Sequence, residues 1–271
     1  MNSTIAQLVV LACFGNATLR ARAAVPRVFP ENSTCRFCER VAFVAMGESF
    51  FGAPRIKSVA ATPDKWFAHL QRHHASRIRL TWAPRNDPRI ADHQSAAFAG
   101  GGGDWALAVS FAESSQVWRS RWEVFDRNAP EQRIWRVTYG PPVDAPHSGA
   151  DAAADALEPG ALRVALTQIL AFSQTHETGG FSASFRAALD ALDGIATEPA
   201  TYADLYPPGA LPSAAGAVLA AAQKAWVFGG MGSWNDMSFD GDAAMDYARV
   251  SAQLYAALTR SICAATNQSA A

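Results

Sequence analysis

Three stretches of the chain alternate so strictly that they leave little choice of local structure. In "RIRLTW" (77–82), Ile78, Leu80 and Trp82 fall on one side of an extended strand, with Arg77, Arg79 and Thr81 on the other. In "VWRSRWEV" (117–124), Trp118, Trp122 and Val124 oppose Arg119, Arg121 and Glu123. In "IWRVTY" (134–139), Trp135, Val137 and Tyr139 oppose Ile134, Arg136 and Thr138. A period of two with aromatics on one side requires a sheet that buries one face. It also predicts where the charge goes, onto an opposite face that carries arginine.

The same texture extends over most of the first 140 residues. Candidate strands are Arg40–Met46, Arg77–Trp82, Trp105–Phe111, Gln116–Phe125 and Arg133–Tyr139. One helix interrupts them, with Thr62 as N-cap, Pro63 in the first position and "DKWFAHLQRHHA" continuing the pattern. "DRNAPE" (126–131) joins two strands as a hairpin, and "GGGG" (100–103) reads as a mobile connection. Short links between successive strands imply an antiparallel sheet.

Beyond the Pro-, Gly- and Ala-rich stretch 141–160 the period becomes helical. Leu162, Leu166, Ile169 and Leu170 share a face, as do Phe181, Phe185, Leu189 and Leu192 in a helix opened by Ser182 and closed by Gly194. Two more helices are expected over about 213–228 and 242–264, the last with Tyr247, Val250, Leu254, Leu258 and Ile262 inward. The expected class is α+β: an antiparallel sheet with one helix in the N-terminal half, then a helical half of about four helices. The regions are 1–140, a linker at 141–160, and 161–271, and a chain of 271 residues can close them as one domain.

Charge divides along the same line. Residues 1–139 carry 18 Lys and Arg against 11 Asp and Glu, a net +7; residues 140–271 carry 5 against 13, a net −8. The apolar run Ile5–Phe14 has no basic residue before it and is too short to span a bilayer, so it reads as a core segment. Four cysteines, with Cys13 and Cys263 isolated, do not resemble a disulfide framework. The Ala- and Arg-rich composition points to a bacterial chain in the cytoplasm, where the sequons at Asn2, Asn16, Asn32 and Asn267 carry no meaning.

Three features could carry function. Arg77, Arg79, Arg119, Arg121 and Arg136 would form a basic sheet face able to fork onto carboxylates of a protein partner. The plainer reading is a solvated face. Nucleic acid suits this face less, since stacking aromatics do not alternate with the arginines, and nothing indicates a membrane. Cys35-x-x-Cys38, with His69 and His73 one helical turn apart and His74 adjacent, supplies the ligand types of a structural zinc site. The 30 residues between the two pairs exceed the spacing of a compact finger, and free thiols are the alternative.

The third feature is "FGGMGSWND" (228–236), with Gly229, Gly230, Gly232, Ser233, Trp234, Asn235 and Asp236. Phosphate binding conflicts with the nearby Asp236, Asp240, Asp242 and Asp246, which also lack the register of a calcium loop. A structural turn is more economical: Gly229 and Gly230 end a helix in the left-handed region, Trp234 plugs the helical core, and Asp240 or Asp242 caps the next helix. If the loop instead lined a pocket, Asp236 and Asp240 would be the candidate acids of an enzyme or ligand-binding domain. "FGGMGSWNDM" followed by "DYARVSAQLYAAL" resembles the C-terminal part of small uncharacterised bacterial proteins with an FGGMGS-x-ND signature, over about residues 215–262. The resemblance implies a helical module of immunity or accessory type and transfers no catalytic residue. The sequence thus favours a non-enzymatic cytoplasmic bacterial binding protein that works by covering another protein.

Overall fold

Six strands lie in the order β2-β1-β6-β5-β4-β3. The computed structural model describes residues 1–20, 27–47, 55–85, 87–98, 101–141, 156–195 and 201–270. The strands are β1 (Cys38–Gly47), β2 (Arg55–Ala60), β3 (Arg77–Ala83), β4 (Asp104–Ser110), β5 (Ser115–Val124) and β6 (Trp135–Gly140). β3 to β6 form an antiparallel meander, and β1 and β2 pair antiparallel. The two units meet at a parallel seam, in which Val41 pairs with Val137 and Phe43 with Tyr139.

The sheet is therefore mixed, which corrects the antiparallel expectation. Local alternation specifies which face a side chain takes but not which distant strand lies beside it, and β1 and β6 are separated by nearly the whole sheet in sequence. The strand β2 was also missed, and the segment 48–54 before it lies outside the described residues. So does most of the 141–160 linker.

Helices cover one face. α1 (Ser3–Arg20) is apolar on every side and buried from Ile5 to Asn16, as expected of a helix with no solvent face. Its two buried amides are satisfied: Gln7 accepts from Tyr139 Oη at 2.8 Å, and Asn16 bonds both the N–H and the carbonyl of Ile78, each at 2.8 Å. α2 (Pro63–Arg72) begins as expected, with Thr62 Oγ1 accepting from Lys65 N, and buries Trp66, Phe67 and Leu70. Trp66 stacks on Phe43 of β1 at 4.4 Å. With the one-turn α3 (Asp92–Ser95), the described residues of this half hold three α-helices where the sequence suggested one.

The helical half comprises α4 (Pro159–Thr175), α5 (Gly180–Leu192), α6 (Ser213–Ala225) and α7 (Gly241–Asn267). Ser182 does not open α5. That place falls to Gly179, at φ 65°, and Ser182 Oγ instead lies 2.6 Å from Ser173 Oγ. On α7, Val250, Leu254, Leu258 and Ile262 point inward. α7 packs on α4 and α6 and also against β3, so one hydrophobic core runs through both halves.

The end of α7 closes an edge of the sheet. β3 is an edge strand, with unpaired backbone groups on its free side. Asn267 takes the N–H of Leu80 at 2.8 Å and donates to its carbonyl at 3.1 Å, while Asn16 does the same for Ile78. Two buried amides thus stand where a seventh strand would add.

The glycines before β4 are not a loose connection. Gly102 and Gly103 adopt φ 81° and 88°. The Gly102 carbonyl accepts from Tyr255 Oη at 2.6 Å and from the indoles of Trp82 and Trp105 at 3.0 and 3.2 Å. These glycines dock β4 against α7, because only a residue without Cβ leaves room for the rings around it.

Candidate functional site

The register sorts the arginines onto the sheet face away from α1, α2 and α7. Arg79 lies opposite Ala108, Arg121 opposite Thr138, and Glu123 opposite Arg136. Trp118 is buried on the helix side while Arg121, on the same strand, keeps 78% of its side chain exposed. Arg77, Arg79, Arg119, Arg121 and Arg136 all occupy this open face.

Part of its charge is balanced within the sheet. Arg119 Nε bonds Asp104 Oδ1 at 2.7 Å with a second bond beside it, Arg121 pairs with Glu123 at 2.9 Å, and Arg136 with Glu39 at 2.9 Å. The Arg136 guanidinium also lies 3.7 Å above the ring of Phe125. Between the long side chains the floor is small: Ala106 and Ala108 lie in this face and are buried, consistent with cover from arginine stems in adjacent ladder positions.

The sequence reading missed one member. Arg40 of β1 pairs in register with Arg136 and is exposed, because the parallel seam carries β1 onto the meander. Among the described residues its guanidinium has no ion pair. Strand alternation had identified the segment, but its place beside β6 depends on a long-range pairing. With Arg40, six arginines (40, 77, 79, 119, 121 and 136) lie in this face, and three of them pair with Asp104, Glu123 and Glu39.

The glycine loop is an internal brace. α6 ends at Ala225, and the one left-handed glycine of the loop is Gly232, at φ 80°; Gly229 and Gly230 are not left-handed. Trp234 is fully buried, its ring against Phe181, Phe185 and Tyr247 and its Nε1 donating to Ser251 Oγ at 2.7 Å. Ser233 Oγ donates to Gly229 O, and the Asp236 carboxylate accepts from the N–H of Gly232. Asn235 reaches away from the loop, donating to the carbonyl of His93 at 3.1 Å. Asp240 precedes α7 without a side-chain bond to its first turn. The loop's polar side chains thus hold the helix–loop–helix connection to itself and to α3.

The four residues considered for zinc are not brought together: among the described residues no three His, Cys, Asp or Glu side chains form a cluster able to hold a metal. Cys35 and Cys38 are buried under α1, with Gln7 Nε2 at 3.8 and 3.7 Å from their sulfurs. Burial pushes their thiols up to about 12 and about 11, so they are neutral core groups. His69 lies on α2 and His73 just past its end, with ring centroids 4.2 Å apart, and desolvation first, then the charge of His73, lowers the His69 pKa. Cys35 ends the short 3-10 turn Ser33–Cys35 and Cys38 opens β1, positions that face the α1 side of the sheet rather than α2's polar surface.

No family model, no curated protein and no solved structure matches the chain. Among the described residues no helix is long and apolar enough to cross a membrane.

Proposed function

We propose that the chain is a non-enzymatic binding protein of the bacterial cytoplasm that covers an acidic surface of a protein partner with the open face of its sheet. The observation that carries this reading is the gathering of six arginines, with Arg40 and Arg121 well exposed, on a face that α1, α2 and α7 leave uncovered. Arginine and aromatic groups over a small apolar floor are the composition of a protein-binding surface, and Phe125, 44% exposed, supplies the aromatic. The bidentate partners of arginine are carboxylates or phosphates, and aromatic rings do not alternate with the arginines along these strands as single-strand stacking would need. The FGGMGS-x-ND resemblance supports an immunity or accessory role, and four buried cysteines outside any disulfide suit a reducing compartment.

An enzymatic pocket at the glycine loop has less support, because Asp236, one of its two candidate acids with Asp240, is engaged with the Gly232 N–H. The test is capture from an extract of the source cells on the immobilised protein, compared with Arg40→Glu/Arg121→Glu. Both positions are exposed, so the variant should fold. The expected result is a partner retained by the native chain and lost with the variant at unchanged Tm. Equal retention would remove this face from the function.

A further inference from the structure

Where the parallel strands β1 and β6 begin, the chain forms a polar cavity of about 470 Å³. That volume falls in the range of small-molecule sites, roughly 300–1,000 Å³. One wall comes from the loop before β1, with Glu31, Arg36 and Phe37; the other is the β5–β6 hairpin tip, with Glu131, Gln132 and Arg133. The wall before β1 is anchored from behind, since Ser33 donates through N–H and hydroxyl to the Asp204 carboxylate, and Phe37 O accepts from Trp135 N.

The charges in this cavity are unequally used. Glu131 and Arg133 pair with each other at 3.0 Å. Glu31 and Arg36 line the same cavity, both exposed, and neither has an ion-pair partner among the described residues, including each other. Phe37 lies beside them, 44% exposed, with the Arg36 guanidinium 5.4 Å from its ring centroid. Across the cavity Glu131 and Gln132 both hold φ at 56°, a left-handed conformation that non-glycine residues rarely keep in succession and that tends to gather at ligand sites.

We propose that this cavity binds a small zwitterion, a free amino acid or short peptide with an apolar side chain. The carboxylate would meet Arg36, the ammonium group Glu31, and the side chain the ring of Phe37. A monopolar anion would leave Glu31 opposing it, and a cation would leave Arg36 opposing it; a ligand carrying both charges uses both. The site is separate from the arginine face and does not depend on it.

Titration of the full chain with L-phenylalanine, followed by amide chemical shifts, tests the assignment. The expected result is saturable shifts confined to the amides of residues 31–37 and 131–133, with a dissociation constant in the low-millimolar range or below. N-acetyl-L-phenylalanine and phenylalanine amide should each bind at least about tenfold more weakly, as should L-phenylalanine to Arg36→Gln or Glu31→Gln. No shift of these amides up to about 20 mM would overturn the proposal. So would equal binding of the N-acetylated compound, which would mark a carboxylate site alone, or unchanged binding by both variants with their spectra otherwise native.

Discussion

The side-chain amide of Asn267 pairs with Leu80 as a neighbouring strand would, taking its N–H at 2.8 Å and donating to its carbonyl at 3.1 Å. This contact joins the last helical turn of α7 to the edge of the sheet. It also directs function elsewhere, because a partner strand cannot add to β3 at Ile78 and Leu80, whose backbone groups are already bonded. The broad face remains available.

Asn267→Leu should therefore destabilise the protein beyond the loss of one hydrogen bond. Both backbone groups of Leu80 are left buried without partners, at about 1–3 kcal/mol for each group. Urea unfolding should show a lower midpoint with little change in slope. A midpoint equal to the native one would mean that the edge is closed by something else.

Gly102→Ala combines two penalties. Its φ of 81° strains any residue with a Cβ, and that Cβ would stand 2.5 Å from the Tyr255 hydroxyl. We expect a loss of at least about 2 kcal/mol. Thermal unfolding monitored by the near-ultraviolet signal of Trp82 and Trp105 should report it, while Gly230→Ala, with open space around it, should change little.

Trp234 and Asp236 separate scaffold from chemistry in the glycine loop. Trp234→Ala should lose roughly 3–5 kcal/mol, the usual range for a large buried aromatic. Asp236→Asn should lose under about 1 kcal/mol, since its bond to Gly232 lies at the surface. Partner capture by Asp236→Asn at native level would agree with a bracing role; selective loss of capture with unchanged Tm would return this carboxylate to the functional site.

His93 gives the protein a pH dependence of known sign. The ring is buried against Phe228 and Tyr255, and desolvation lowers its pKa from the ordinary 6.5, opposed by Asp92. Above that ordinary value the ring is neutral folded or unfolded and contributes nothing to the slope. Below it the unfolded chain binds a proton that the folded chain resists, so stability falls as the pH drops towards the folded pKa. Denaturant unfolding at pH 7.5 and 5.5 should show a smaller loss in His93→Gln than in the native protein. His69, lowered in the same direction, leaves a residual slope in both.

The legible parts of this fold were those with a local period. Alternation around Trp118 and Trp122 assigned the sheet faces, Thr62-Pro63 marked the start of α2, and Leu254, Leu258 and Ile262 marked the inner stripe of α7. What escaped depends on distant partners. Gln7 looks like an interruption of the apolar run Ile5–Phe14, and Asn16 like an idle sequon, until Tyr139 and Ile78 are seen to use them. Arg40 joins the open face only through the parallel seam with β6. Within the run 100–103, Gly102 and Gly103 read as slack because the rings that lock them, Tyr255 and Trp82, come from elsewhere in the chain.

Side-chain footprinting of the chain with its captured partner tests the central claim most directly. Hydroxyl radicals label exposed side chains according to their accessibility, and the two halves offer well-separated reporters. Phe125 stands on the arginine face, 44% exposed, while Met231, at 101%, and Met245, at 68%, mark the acidic helical end. Binding through the sheet predicts that labelling of Phe125 falls several-fold in the complex while both methionines label as in the free chain. Protection of Met231 and Met245 with Phe125 unchanged would contradict it.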